Sequence, residues 1–267
     1  MKAYEIMDDL FSLANPLWSD RTCDTLKAGD PNAEVSKVAV SMFATADIVR
    51  QASDWGAQLL IVHEPTYYNH WDDHSDDYFE TAKRRLIEST GLTIYRFHDH
   101  PHCTDPDIIT DGEIQYLGLD CTVEKTDVFD LTRLRLTNPM TPRQLAKYIE
   151  DTLGIAHVRI AGVADVPCTS LSLMVGTPGG LEQELLRPNT EIILTGEICE
   201  WSLGERVRDA AQMGYRKAIL VLGHIGSERD GMKYAAHILK ERQPHLDVRY
   251  FECGEVYTYS DSHSERI

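Results

Sequence analysis

The chain has 267 residues, 42% hydrophobic and 26% charged, with a formal net charge of −17. That length buries a full core without disulfides or a structural metal. The acidic balance argues against nucleic acid, whose phosphates demand a basic surface, and against anionic membranes, but a strong negative field could draw in metal cations.

The opening stretch, MKAYEIMDDLFSLANP, reads as an amphipathic helix with acids in its middle. It lacks the uninterrupted apolar core and small-residue cleavage site of a signal peptide. No run approaches 18 apolar residues, so no membrane span is expected. The six cysteines are scattered with no C-x-x-C pair, which suits reduced thiols and a cytoplasmic location.

A turn-rich stretch, SDRTCDTLKAGDPNAE, follows the first helix. Strands are predicted at 37–43, 57–63 and 92–98, as a longer pair near 121–136 and 156–163, and at 170–176, 191–196, 218–223 and 248–253. Helical patterns fall between them at 45–55, 77–90, 106–117, 142–152, 181–187, 199–213 and 229–242. This alternation predicts an α/β fold with parallel pairing and helical crossovers. Closer strand spacing around 121–176 suggests a smaller α+β segment, so the approximate division is 1–120, 121–190 and 191–267 within a single unit. The last residues, YSDSHSERI, read as frayed.

Four apolar strands end in side chains able to bind metal or move protons. QLLIV runs into His63 and Glu64, LTIYRF into a cluster at His98, His100 and His102, EIIL into Glu197, and KAILVLG into His224 with Glu228 four residues on. In open α/β sheets that carboxyl edge is where ligands bind. If the first helical turn is formed, His224 and Glu228 share a face. Imidazole with carboxylate suits Zn²⁺, Mn²⁺, Fe²⁺ or Co²⁺ rather than a closed structural zinc site. In an extended stretch 98, 100 and 102 would share one face, although Pro101 disfavours regular extension. His70, His74, His157, His237, His245 and His263 read as surface residues. Gly176-Thr177-Pro178-Gly179-Gly180 is a weak phosphate-cradle candidate and reads better as a plain turn.

Several of these stretches resemble one family, the NGG-interacting-factor-three-like proteins, also labelled GTP cyclohydrolase I type 2 homologues or dinuclear metal-centre hexameric proteins. CDTLKAGDPNAEVSKVAV, LLIVHEP, FHDHPH, ILTGEICEW and, most closely, LGHIGSERDGMKYAAHIL carry the likeness in chain order. The resemblance implies His63, Glu64, His102, His224 and Glu228 as metal ligands. Glu64 stands where that family usually has histidine and His102 where it has aspartate, so three imidazoles and two carboxylates are retained. It also implies two interwoven α/β lobes with mixed, largely parallel sheets, a metal site in the cleft between them, and a homohexamer.

Two ions about 3.5–4 Å apart can share a water, lower its pKa and clamp a developing oxyanion. The resulting expectation is a metal-dependent hydrolase of a small, nucleotide-like substrate, with Glu64 or Glu228 as bridging candidate. Glu197 is the general base or orienter, and His98 an acid–base or supporting group. The rival reading is a non-catalytic metal-binding or regulatory scaffold.

Overall fold

The computed structural model describes residues 1–124, 126 and 131–260. The middle of the predicted 121–136 run and the end of YSDSHSERI, with His263, lie outside the described residues. The fold is mixed α/β, built on two sheets.

The first sheet has the order β1 (Leu26–Ala28), β4 (Thr93–Arg96), β3 (Leu59–Val62), β2 (Lys37–Ser41), β11 (Asp247–Tyr250). All neighbours are parallel except β1 with β4. Side chains alternate across a strand with a period of two, and both faces here are covered, which is why the runs are continuously apolar. Ala39, Leu60, Val62 and Ile94 pack with Ile48, Val49 and Ile87 of α2 (Ala46–Trp55) and α3 (Tyr78–Thr90). On the other face Val38, Val40, Leu59 and Ile61 share a core with Ile6, Met7 and Leu10 of α1 (Ala3–Phe11) and with Met232 and Leu239 of α9 (His224–Arg242).

The second sheet has the order β5 (Cys121–Glu124), β6 (Thr132–Met140), β8 (Cys168–Met174), β9 (Ile192–Thr195), β10 (Ala218–Val221), β7 (Arg159–Gly162). Only β8, β9 and β10 run parallel, with antiparallel strands at both flanks. The expectation of largely parallel sheets therefore fits the first sheet better than the second. Leu171, Leu173, Leu194 and Leu220 enter the same core as the first sheet. The chain crosses between sheets and returns, since β11 pairs with β2.

Between the sheets α5 (Ile108–Leu117) lies against α9. Their backbones touch because Gly112 faces Gly231; a Cβ at Gly112 would stand 2.6 Å from the Gly231 Cα. This packing fixes α9, and with it the residues at its start.

Three local differences from the sequence expectations shape the site. The stretch after β4 is not extended: Asp99–His102 forms one helical turn, α4. Its period puts residues four apart on one side and sends the residue midway to the other. Helix α9 begins at His224, not near 229, so the i,i+4 condition on His224 and Glu228 is met. The helix predicted at 199–213 divides into a π-helical turn, Glu200–Gly204, and α8 (Glu205–Gln212).

Candidate metal centre

The carboxyl ends of β2, β3 and β4 meet those of β8, β9 and β10, and the histidine-bearing loops converge there. At the end of β3 the backbone N–H groups of His63 and Glu64 both donate to the Met42 carbonyl, at 3.1 and 2.9 Å. The fully buried His63 donates from Nδ1 to the Phe97 carbonyl at 2.9 Å. That bond fixes its tautomer, because a carbonyl has no proton to give.

Glu64 points towards Arg96, whose Nη2 lies 3.5 Å from Oε2. Arg96 is 1% exposed and also donates from Nε to the His63 carbonyl at 2.9 Å and from Nη1 to the His70 carbonyl. A guanidinium buried on a strand is tolerated when carboxylate and carbonyls satisfy it.

The turn α4 sorts the three histidines of FHDHPH. His98 Nδ1 binds Asp99 Oδ1 at 2.9 Å, and Asp99 is itself held by Thr22 Oγ1 at 2.7 Å and the Cys23 N–H at 3.1 Å. His102 Nδ1 binds Asp107 Oδ2 at 2.9 Å, and Asp107 Oδ1 caps α5 by accepting from Ile109 and Thr110. His100 turns the other way, onto Asp24 Oδ2 at 2.7 Å and the Phe11 ring at 4.1 Å. His63, His98 and His102 thereby gather, with ligand atoms all within 4.8 Å of one another.

The second sheet supplies the rest. His224 Nε2 lies 2.8 Å from Glu64 Oε1 and 3.2 Å from Glu228 Oε2, and its Nδ1 lies 2.7 Å from Glu197 Oε1. Glu228 is also 3.7 Å from His63 Nε2. Thus His63, Glu64, His102, His224 and Glu228 come together from the ends of three strands, and His98 and, from a fourth, Glu197 adjoin them. Ligand atoms of His63, Glu64 and Glu228 form a second group within 4.8 Å.

The electrostatics bear on whether a cation fits. Burial, reinforced by His98, holds the His63 pKa well below the ordinary histidine value, so the ring is neutral and Nε2 carries a bare lone pair. That nitrogen is buried without a hydrogen-bond partner and faces, at 3.7 Å, the Glu228 Oε2 acceptor, whose neighbour is the His224 ring at 3.2 Å. An acceptor-to-acceptor contact in the interior is costly, and a cation between the two resolves it. Burial opposes charge on His224, but Glu228 and Glu64 outweigh it and push its pKa up to about 11. Burial likewise works against charge on Glu64, yet His224 and His63 hold its carboxyl well below the usual range. The imidazolium of His224 thus balances carboxylates that a metal could balance in its place. The donor set fits a divalent ion.

Several residues that complete the site were given no role from the sequence. Arg96 holds Glu64, and Asp24, Asp99 and Asp107 hold His100, His98 and His102; Asp24 and Asp99 lie within the CDTLKAGD and FHDHPH stretches, and Arg96 is the charged residue inside the apolar run LTIYRF. Cys23 lies 3.4 Å from Asp99 Oδ1, and burial pushes its thiol pKa far up, so it acts as a hydrogen-bonding thiol. Gly176, in the stretch weighed as a phosphate cradle, has φ +62°, and a Cβ there would stand 2.3 Å from Glu228 Oε1. His70, His74, His157, His237 and His245 are exposed, as read from sequence.

A sequence model of the family Duf34/NIF3 (NGG1p interacting factor 3) matches residues 1–255. The chain belongs to this family. It is 21% identical over 237 residues to a "GTP cyclohydrolase 1 type 2 homolog" of Clostridium perfringens, covering 86% of this chain and 87% of that protein. Among solved structures, the protein ybgI, of unknown function, is 19% identical with a TM-score of 0.77, covering 96% and 99% of the two chains. A Bacillus cereus protein related to NIF3 is 15% identical with a TM-score of 0.76, covering 97% and 99%. These likenesses establish the NIF3 fold. No helix among the described residues is long and apolar enough to cross a membrane.

Proposed function

We propose that this NIF3-family chain is a dinuclear metal-dependent hydrolase of a small, ring-bearing substrate related to a nucleotide. The observation that carries the reading is the buried His63 Nε2, an acceptor without a hydrogen bond, 3.7 Å from the Glu228 carboxylate and inside a shell of further imidazoles and carboxylates. The name borne by the Clostridium perfringens relative points the same way.

His63, Glu64, His102, His224 and Glu228 would hold the ions. Bound divalent ions supply Lewis acidity and a water of lowered pKa. The remaining chemistry falls to the chain. Glu64, fixed by Arg96, and Glu228, which fills the space a Cβ at Gly176 would take, present two carboxylates to the reacting centre. Glu197 orients the His224 ring through Nδ1 and, being exposed, can pass a proton to solvent. Asp99 and Asp107 hold the rings of His98 and His102 in one tautomer.

A cavity of about 280 Å³ adjoins this centre, lined by Glu197, Gly223 and His224 on one side and by His157, Arg159 and Tyr257 on the other. Its arginine, Arg159, is already paired with Glu200 at 2.9 Å. That favours a compact ring over a polyphosphate tail. The test is elemental mass spectrometry on untagged protein beside His224→Ala and His102→Ala, followed by a hydrolysis screen on nucleotides and phosphoesters. Close to two transition-metal ions per chain, reduced in both variants, with turnover weakened in Glu197→Gln, is the expected result. Wild type that stays below about a tenth of an ion after metal is added back would sink the reading, since a working centre needs its ions.

A further inference from the structure

A second cavity, of about 430 Å³, is lined by Phe43, Thr45, Ala46, Pro65, Tyr68 and Lys83. Pro65 directly follows Glu64, and the Phe43 ring stands edge-on to the His224 ring with centroids 6.5 Å apart. Elements of the first sheet's half wall this cavity, whereas the one beside Glu197 and His224 is walled mainly by the second.

Lys83 is the unusual group there. It is 9% exposed, yet among the described residues no carboxylate pairs with its ammonium. Nζ donates to the Thr66 carbonyl at 2.6 Å and lies 4.7 Å from the Tyr68 ring centroid. Asp72, the acid whose charge reaches it, is committed to Lys27 at 3.0 Å. Burial accordingly pulls the Lys83 pKa down to about 8. A buried lysine is ordinarily paired. Its ammonium carries three donors, of which the Thr66 carbonyl takes one.

The start of α2 lines the same space. Thr45 caps the helix by accepting from the Ile48 N–H at 3.1 Å. The N–H groups of Ala46 and Asp47 lie in the first turn, where a helix offers no acceptor of its own. The positive end of the helix dipole adds to them, and the Asp47 carboxylate is drawn off by Arg50 at 2.7 Å. A cation without a counter-ion and unsatisfied N–H donors thus converge on one cavity, in a chain of net charge −17.

We infer that this cavity binds a single compact oxyanion, a phosphate or carboxylate group, held by the Lys83 ammonium and the first N–H groups of α2. That it receives the anionic group of the substrate rests on the proposed function; the anion binding itself does not.

The experiment titrates inorganic phosphate and, separately, acetate into the full-length protein by calorimetry. It is run on protein as purified and on protein freed of metal with the chelator removed, so that anion held by a metal ion is told apart. Binding of one anion per chain in both preparations is expected, weakened about 10- to 100-fold in Lys83→Met, the cost of a charge-assisted hydrogen bond. Ala46→Pro removes one N–H at a helix position that suits proline, after an extended Thr45 at ψ 161°. It should weaken binding about 3- to 10-fold with an unchanged Tm, a readout that holds even where Lys83→Met fails to fold. Binding of phosphate alone assigns a phosphate group, and binding of acetate alone a carboxylate. Equal binding by wild type and Lys83→Met, or no binding to metal-free protein, overturns the inference. Phosphate binding that vanishes with the metal overturns it while leaving the dinuclear reading intact. Wild type that takes up no metal yet binds an anion through Lys83 has the opposite meaning, so the two failures are distinct.

Discussion

Gly176→Ala should weaken the metal centre without touching a ligand. An added Cβ would stand 2.3 Å from Glu228 Oε1 and 3.0 Å from its carboxyl carbon. Relief requires the carboxylate to retreat by about 1 Å, a displacement of the size that costs about a hundredfold where geometry is critical. Metal affinity should fall about 10- to 100-fold, as when a group supporting a ligand is lost. A backbone cost adds to this, because φ is +62° and the left-handed region costs a non-glycine residue about 1–2 kcal/mol. For a chain this long that is a fall in Tm of about 2–8 °C. Gly91 provides the control: it has φ +69° with no atom within 4 Å of an added Cβ. Gly91→Ala should show the thermal shift alone, and Gly179→Ala, in open space and without positive φ, should show neither effect. Calorimetry and a chelator competition titration read the two quantities separately. If Gly176→Ala binds metal as tightly as Gly91→Ala does, Glu228 is not where the ion is held and the reasoning fails.

Replacing Arg96 by Met should leave Glu64 and the His63 and His70 carbonyls without their buried donor; removing one partner of a buried pair costs about 3–5 kcal/mol, measurable by urea denaturation, and a loss under about 1 kcal/mol would count against that network. Asp107→Asn keeps the oxygen that caps α5 but can set an amide donor against His102 Nδ1, forcing the wrong tautomer. Metal affinity should drop about 10- to 100-fold with little thermal change, as checked by the same chelator competition. Glu113 is buried, and burial together with Asp230 raises its pKa well above the ordinary carboxylate value. A raised acid pKa leaves the folded state protonated while the unfolded chain ionises, so stability falls as pH rises from about 4.5 towards the folded pKa, by up to about 1.4 kcal/mol per unit. Glu113→Gln, which keeps the acceptor for the Asp230 N–H at 3.0 Å, should flatten that slope and stabilise the protein at pH 8. Equal slopes for the two proteins in denaturation across pH 4–9 would refute the assignment.

Much of the α/β architecture was legible because continuous apolar runs between helical periods have few other ways to bury both faces. The strand-end residues were legible for the same reason: where a strand ends, the chain must leave the core, and polar side chains can return. What sequence spacing misjudged was local and decided by packing. FHDHPH forms a helical turn, which joins His98 to His102 and diverts His100 to Asp24. Helix α9 starts five residues earlier than its apolar period suggests, because its first turns carry polar residues, the half-buried His224 and the buried Ser227 and Glu228, that face the site.

The sequence by itself determined that imidazoles and carboxylates stand at the ends of four apolar strands, because residue chemistry and hydrophobic period are local properties. Only the tertiary structure decided which of them meet. The carbonyl facing His63 Nδ1, the guanidinium behind Glu64 and the glycine beneath Glu228 come from segments 34, 32 and 52 (228 − 176) residues away from the side chains they hold. Such contacts arise when two sheets close on one core, and no local pattern in the chain records them.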